Sequence, residues 1–188
     1  MITQREPGLA TDETGFLRLI SSDICAKAEW LYGSVSRTNV LKALATDGSF
    51  AMVVYRLMQF SQRWRIVPLA MVFNKINVFF GRCIIGRNAQ FGPGFVLVHS
   101  LGVVINTSVK GGRGVRIEHQ VTIGAERGQS PVLGDDVFIG AGAKIVGNVR
   151  LGNHVRVGAN AVVVDDVPDG ATVVGIPARV VTRREDGR

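Results

Sequence analysis

A six-residue repeat is the feature of this sequence that most constrains its fold. When each hexad begins with an aliphatic residue, the register holds without a slip over residues 133–167. The first positions there are Leu133, Ile139, Ile145, Leu151, Val157 and Val163, and the fifth positions are Val137, Ala143, Val149, Val155, Ala161 and Val167. Upstream, the first positions are Ile85, Phe91, Leu97, Ile105, Gly111, Ile117 and Ile123, and the fifth positions are Ala89, Phe95, Leu101, Val109, Val115 and Val121.

The period of six predicts a parallel β-helix. An α-helix repeats every ~3.6 residues and a strand every ~2, whereas six residues suit a short strand followed by a corner. Three hexads then make one triangular coil, with the aliphatic side chain at the axis and neighbouring coils about 4.8 Å apart. Two slips interrupt the pattern: two extra residues between Leu97 and Ile105, and four between Ile123 and Leu133.

Helical spacing of apolar residues predicts four helices before the repeat. The first carries Phe16, Leu17, Leu19, Ile20, Ile24, Ala28 and Leu31 after a start signal at Thr11, Asp12 and Glu13. The second extends from about Ser36 to Ala45, and the third begins near Asp47 or Ser49, with Phe50, Val53, Leu57 and Phe60 on one face. The fourth runs from about Ile66 to Phe80. The chain is therefore predicted to be α+β, with a helical region over residues 1–82, a β-helix domain over 83–180 and a C-terminal tail over 181–188.

Composition and charge exclude several classes of function. The net charge of +7 comes from 10 basic and 6 acidic residues before position 83, and from 12 and 9 after it. Because the basic residues form no cluster and no aromatic platform accompanies them, we expect no nucleic-acid partner. The apolar stretch 51–80 is interrupted by Arg56, Arg63, Arg65 and Lys75, which allows at most peripheral contact with a membrane.

The cell compartment is predicted from the cysteines and the N-terminus. Cys25 and Cys83 match no metal or redox spacing, and residues 1–14 lack the apolar core of a signal peptide. These features indicate a cytoplasmic protein.

Five segments carry a resemblance to a known family. Residues 91–105, 121–124, 139–144, 157–162 and 166–179 read FGPGFVLVHSLGVVI, VTIG, IGAGAK, VGANAV and DVPDGATVVGIPAR. Together they resemble the serine acetyltransferase branch of the hexapeptide-repeat acyltransferases, over about residues 75–181 and more weakly in the helices, at Tyr55-Arg56. The resemblance implies a left-handed β-helix, a homotrimer that can pair into a dimer of trimers, active sites between protomers, and acetyl-CoA as donor.

Within this resemblance, His99 matches the general base of the family. Acetyl transfer to an alcohol needs a group that removes the hydroxyl proton, and an imidazole does this near neutral pH. The repeat adds that His99 and His119 both take the third position of their hexads, one coil apart, so that they should stack. His119 and its neighbour Glu118 are therefore candidates to orient the base or to hold the acceptor. A stacked surface histidine without function is the alternative, and His154 is interpreted as a corner residue.

Small and basic residues are the candidates for binding the donor. The resemblance places Gly124, Ala125, Ala141 and Ala159 along the pantetheine arm of acetyl-CoA. It leaves Lys144 and Arg179 as candidates for binding the CoA phosphates, because both side chains are positively charged. Small residues also suit tight corners, and either cation is equally compatible with a solvated corner charge.

Departures from the family pattern bear on the acceptor. The resemblance implies an acidic residue where this chain has Val98, an orienting Asp where it has Ile84, and an Arg-His pair where the shorter loop 125–131 has Gln129-Ser130; a further serine-contacting Asp falls near Gly33. A zwitterion needs paired charges in its site. We therefore predict a sugar or polysaccharide-precursor hydroxyl as acceptor, as in exopolysaccharide acetyltransferases, with serine as the alternative.

A third class of function lies outside acyl transfer. Hexapeptide β-helices also serve as scaffolds or as metal-dependent hydratase subunits, which need histidines that converge on zinc. The sequence shows no ligand spacing motif, so that no metal is expected.

Overall fold

The computed structural model describes residues 15–181, in which four helices precede a stack of short strands. The helices are α1 (Phe16–Tyr32), α2 (Arg37–Leu44), α3 (Ser49–Arg63) and α4 (Val67–Phe79). Gly33 ends α1 in the left-handed conformation, and the Ser36 hydroxyl caps α2 by accepting a hydrogen bond from the Asn39 amide at 3.1 Å. The four predicted helices are thus confirmed, while the start signal at residues 11–13 lies outside the described residues.

The strands form three faces of a parallel β-helix. In chain order they are β1 (Ile84–Ile85), β2 (Gln90–Phe91), β3 (Val96–Leu97), β4 (Val104–Ile105), β5 (Lys110–Gly111), β6 (Arg116–Ile117), β7 (Thr122–Gly124), β8 (Val132–Leu133), β9 (Phe138–Ile139), β10 (Lys144–Val146), β11 (Arg150–Leu151), β12 (Arg156–Val157), β13 (Val162–Val163), β14 (Thr172–Val174) and β15 (Arg179–Val181). The first sheet has the order β1-β4-β7-β10-β13, and the second has the order β11-β8-β5-β2. The third has the order β15-β14-β12-β9-β6-β3, closed by the antiparallel pair β14–β15. From β1 to β13 every third strand shares a sheet, which confirms the predicted coil of three hexads.

The first positions of the hexads form the axis of the stack. All of them are buried except Gly111, which is half-buried. The aromatic ring of Phe91 occupies the space at Gly111, where a Cβ atom would collide with it. The large residue in one coil thus compensates for the small one in the next, which keeps the interior packed.

One predicted inward position is wrong. Leu101 was expected at the fifth position after Leu97, but it is 52% exposed and Val103 is fully buried in its place. The two extra residues lie before the inward position, because the repeat requires an apolar residue immediately before β4. The corner that carries His99 is therefore wider than the other corners.

The buried face of α3 also differs from the predicted one. Phe50 and Phe60 are 50% and 42% exposed, whereas the opposite face is buried through Ala51, Met52, Val54, Tyr55 and Met58. That face is favoured because polar groups on it bind the backbone of the first coil. The Tyr55 hydroxyl donates to the Ala89 carbonyl at 3.0 Å and accepts from the Phe91 amide at 3.1 Å.

A buried ion pair joins α1 and α3 to the same coil. Arg56 Nε lies 2.7 Å from Asp23 Oδ2, and both side chains are only 1% exposed. Arg56 also donates to the carbonyls of Phe91 and Gly92 at 2.8 and 2.7 Å, while Asp23 Oδ1 accepts from the amides of Gly94 and Phe95, each at 3.0 Å. A buried charge pair needs such additional hydrogen bonds, and these attach the helices to the open end of the β-helix.

Candidate active site

One corner of the β-helix, between the third sheet and the first, carries the predicted base. The third positions of the hexads form a column there: His99, His119, Ala141, Ala159 and Gly175. Backbone bonds link successive members of the column. The Gly142 amide donates to the His119 carbonyl at 2.9 Å, and the Asn160 amide donates to the Ala141 carbonyl at 2.8 Å. Two histidines are thus followed by two alanines along one edge of the molecule.

The two imidazoles of this column lie one above the other, as the repeat predicts, with their rings edge to face. Leu97 pairs with Ile117 in the β3–β6 register, which places the residues two positions later one above the other. The ring centroids lie 6.0 Å apart with an interplanar angle of 73°. The His99 and His119 side chains are 51% and 43% exposed, so a ligand can reach both.

Each imidazole faces a carboxylate through its Nδ1 atom. His119 Nδ1 lies 3.8 Å from Glu118 Oε2, and His99 Nδ1 lies 3.7 Å from Asp47 Oδ2. The sequence does not indicate Asp47 as a site residue, because it lies in the helical region and reads as a possible helix start. In the structure Gly48 is the N-cap of α3, which leaves the Asp47 side chain free to point towards His99.

The predicted donor residues fall into two groups. Ala141 and Ala159 continue the column of the two histidines. Gly124 and Ala125 lie at the other end of the first sheet, where β7 ends. Within the described part of a single chain, the structure does not bring these two groups together.

The two candidate phosphate-binding cations are both engaged. Lys144 Nζ donates to the Gln120 carbonyl at 2.6 Å, one residue from His119. Arg179 Nη1 lies 3.1 Å from Asp165 Oδ2, and both of these side chains are largely exposed. Lys144 is therefore beside the histidines, whereas Arg179 lies near the C-terminal end of the stack.

Three of the positions that depart from the family pattern lie in environments that differ from one another. Val98 is buried, and Ile84 is 48% exposed on β1. The loop 125–131 closes through reciprocal backbone bonds of 2.9 Å between Glu126 and Gln129. Ser130 Oγ donates to Asn106 Oδ1 at 3.1 Å, which attaches the loop to the preceding coil.

Other features of the described residues lie apart from this corner. His154 is a corner residue as expected, with a φ of 58° and its Nδ1 3.8 Å from Asp136 Oδ2. A cavity between α1, α3 and the first coil is lined by residues such as Phe16, Trp64 and Arg87, and it includes neither His99 nor His119. Between residues 15 and 181, no group of three or more potential ligands is placed to hold a metal ion. No helix in that range has the length and apolarity needed to cross a membrane.

A parallel β-helix built from stacked hexads is typical of the hexapeptide-repeat acyltransferases. The family model for bacterial transferase hexapeptide (six repeats) matches residues 130–165. Over 170 residues the chain is 34% identical to a serine acetyltransferase of Helicobacter pylori (strain J99), which covers 88% of this chain and 94% of that protein. The chain belongs to this acyltransferase family and is an enzyme of the acetyltransferase type.

Solved structures of serine acetyltransferases share this fold. A soybean serine acetyltransferase in complex with serine matches with a TM-score of 0.80 at 33% identity, over 88% of this chain and 69% of that one. A serine acetyltransferase in complex with CoA matches with a TM-score of 0.79 at 31% identity, over the same shares of 88% and 69%. These names do not support the predicted assignment to the exopolysaccharide type.

Proposed function

We propose that this protein transfers the acetyl group of acetyl-CoA to the hydroxyl of serine. The observation that carries the proposal is the exposed His99–His119 pair, in a fold that matches serine acetyltransferases at 30% identity or more. The CoA and serine complexes of those relatives support both substrates.

His99 acts as the general base in this proposal. Its imidazole removes the proton of the acceptor hydroxyl as the oxygen attacks the thioester carbonyl carbon. The tetrahedral intermediate collapses, the carbon–sulfur bond breaks, and the ester remains on the acceptor. The imidazolium then returns its proton to the sulfur of CoA, so that free thiol and free base are regenerated. Half-exposed His119 and Glu118 are proposed to hold the acceptor beside His99.

The column of small residues is the proposed bed for the donor. Ala141 and Ala159 leave room for an extended pantetheine arm that ends at the histidines. Along the column, Ala159 lies two coil spacings from His119 and three from His99. Gly124 and Ala125 lie on another edge of the same chain, so they would reach this donor site from a neighbouring protomer. Arg179, once it exchanges the exposed Asp165 for a phosphate, is the better placed of the two cations for CoA phosphates. Lys144 is better placed to act near the acceptor.

Charges of both signs around the histidines support an amino acid as acceptor. Asp47 and Glu118 supply carboxylates, and the ammonium of Lys144 lies beside Gln120. A zwitterion needs such groups, since an unpaired charge in a site is costly. They occupy positions other than those that the family resemblance assigns to these roles.

A sugar hydroxyl is the second candidate acceptor. The observation that favours it is the neutral character of Val98 and of Gln129-Ser130, where the resemblance implies charged residues. A neutral acceptor would need hydrogen bonds rather than ion pairs.

A homotrimer, or a pair of trimers, is the proposed assembly. Exposed apolar side chains on α4, at its C-cap, on strands of the first sheet and directly after β13 support it, because a monomer rarely exposes so many together. These side chains include Met71, Val72, Phe79, Phe80, Ile84, Val104 and Val164. Sedimentation equilibrium tests the proposal: a mass of one chain would contradict it.

The two free cysteines fit the proposed cytoplasmic location.

One assay separates the two acceptors. The purified protein is incubated with acetyl-CoA, and thiol release is followed with L-serine and, separately, with a panel of nucleotide sugars and oligosaccharides. Turnover with L-serine that exceeds turnover with every sugar supports the proposal. Turnover with a sugar and none with serine overturns the acceptor while retaining the acetyl transfer.

A further inference from the structure

We infer that Asp47 is the residue that positions His99 for catalysis, a role that the helical region supplies to the β-helix. The inference rests on the proposed function, in which His99 is the base. The family resemblance assigns this role to an Asp at the position of Ile84, where this chain has an exposed apolar side chain. The geometry points to Asp47 as the replacement.

The contact with Asp47 sets the orientation of the His99 imidazole. Asp47 Oδ2 faces Nδ1 of His99 at 3.7 Å, which leaves Nε2 directed away from the carboxylate. A carboxylate beside Nδ1 favours the tautomer with the proton on Nδ1, so that Nε2 carries the free lone pair. Nε2 is then the atom that accepts the proton of the acceptor hydroxyl. Both side chains are exposed, so a rotation of either one can shorten this contact to a hydrogen bond, and such contacts often tighten when substrates bind.

The loop between α2 and α3 is built to approach the strand that precedes His99. Gly48 has a φ of 81°, and a Cβ atom on it would lie 2.5 Å from the Leu97 carbonyl oxygen. Glycine adopts this conformation without steric cost, and its lack of a Cβ permits the close approach. Because Leu97 is two residues before His99, this contact fixes Asp47 next to the imidazole.

A buried lysine holds the same loop from the other side. Lys27 of α1 is fully buried, and its ammonium donates to the backbone carbonyl of Asp47. The hydroxyls of Thr46 and Ser49 both donate to the Ala43 carbonyl at 2.6 Å, which closes the loop on the end of α2. Burying an ammonium is costly unless it is paired or hydrogen-bonded, and the bond that satisfies Lys27 also secures the residue that faces the base.

The charged groups around His99 come from three elements. Asp47 comes from the loop before α3, Lys27 from α1, and His119 with Glu118 from the next coil. Glu118 faces His119, so that each imidazole has its own carboxylate. Asp47 is 83% exposed, and replacing its side chain therefore changes the charge at His99 without disturbing the core.

The test compares Asp47→Asn with the matched variant Asp136→Asn, which removes a similar carboxylate from His154 at another corner. We expect Asp47→Asn to lower kcat about 10- to 100-fold, a part of what a general base contributes, with KM for acetyl-CoA within twofold of the parent. Asp47→Glu should recover most of the loss. Asp136→Asn should leave kcat unchanged.

A spectroscopic readout separates positioning from a structural role. Nitrogen-15 NMR of the imidazoles at high pH reports which ring nitrogen of neutral His99 carries the proton. We expect the fraction with the proton on Nδ1 to fall in Asp47→Asn and to stay constant in Asp136→Asn. An Asp47→Asn enzyme with the parent's kcat and tautomer ratio overturns the inference. If His99→Ala itself remains fully active, the proposed function fails, which is a separate result.

Discussion

Two corners of the β-helix are built from the same hexad position and serve different purposes. After the second sheet, the corner positions that follow Pro93 are Arg113, Asp135 and Asn153, the third residues of their hexads, and Asp169, two residues after Val167, which bridges to Leu151. Their side chains form a ladder, in which Asp135 Oδ1 accepts from the Arg113 amide at 2.7 Å, Asn153 Oδ1 from the Asp135 amide at 2.8 Å, and Asp169 Oδ1 from the Asn153 amide at 2.8 Å. After the third sheet, the third positions are His99, His119, Ala141 and Ala159, and within residues 15–181 they form no such ladder. The side chains of the first corner join the coils, whereas those of the second corner line the proposed ligand site.

Within each hexad, the residues that stabilise the stack and the residues available for chemistry therefore take different positions. Apart from Gly111 and Leu101, the first and fifth residues of the hexads fill the core, whereas the third residue points outwards at a corner. A corner residue can therefore bind the next coil or a substrate without changing the core. The four predictions below test this separation, from the largest expected effect to the smallest.

Removing the base should abolish catalysis and leave the stack intact. We expect His99→Ala to lower kcat about 10²- to 10⁴-fold, the usual contribution of a general base. Because His99 is half-exposed, the thermal unfolding midpoint should change little. His154→Ala, at a different corner, is the control and should retain full activity. Equal losses in the two variants would mean that His99 has no special role.

The docking of the helices on the histidine corner should depend on pH. Burial lowers the pKa of Lys27 from its usual 10.5 to about 8, and the nearby Asp47 carboxylate opposes this shift. Between these two pH values the unfolded chain binds the proton and the folded chain does not, so the free energy of unfolding should rise with pH. The rise is on the order of a few kcal/mol at most.

Urea denaturation at pH 8, 9 and 10 measures this effect. Lys27→Met keeps the length of the side chain and removes the titrating group, so its stability should stay flatter over this window. A rise of the same size in Lys27→Met would assign the effect to another group.

Filling the small-residue column should weaken donor binding. Ala141 is half-buried in the proposed pantetheine bed, and Ala141→Leu adds three heavy atoms there. We expect KM for acetyl-CoA to rise about tenfold, a change of about 1.4 kcal/mol, with KM for the acceptor unchanged. A leucine in place of Thr107, a third-position residue at the remaining corner, is the control. Unchanged donor kinetics in Ala141→Leu would exclude this column as the bed.

Breaking the ladder should cost stability and spare activity. Asp135→Ala removes the acceptor of the Arg113 amide, a loss of about 1 kcal/mol in the free energy of unfolding. Urea denaturation measures the loss, and the specific activity per folded molecule should equal that of the parent. A fall in kcat per folded molecule would show that the two corners are not independent.

The periodic part of the fold was predictable because each hexad repeats the same physical requirement. A buried aliphatic residue every sixth position has few structural interpretations, and the stacking of His119 on His99 follows from counting. Leu101 was misassigned because an insertion can lie on either side of the inward residue, and both choices place an aliphatic side chain in register. The structure resolves this in favour of Val103.

Contacts between the helical region and the β-helix were not predictable. Asp47 and Gly48 read as an ordinary helix start, and only the close approach of Gly48 to Leu97 shows why they lie beside His99. The apolar periodicity of α3 indicated the face with Phe50 and Phe60, because hydrogen bonds from Tyr55 and Arg56 to the first coil leave no mark in a hydrophobic pattern. The acceptor prediction examined only the positions that the family uses for its charges.

The attachment of the helices also blocks one end of the β-helix against end-to-end association. A stack of parallel coils ends in an edge of unpaired carbonyls and amides, which is a template for end-to-end polymerisation. Here Tyr55, Arg56 and Asn74 donate to the edge carbonyls of Ala89, Phe91, Gly92 and Ile85. At the opposite end, β15 turns back antiparallel on β14. The side chains of the helices thus occupy the end of the stack, so that the coils of another molecule cannot pair with it. This keeps an architecture that can template its own growth from forming a fibre.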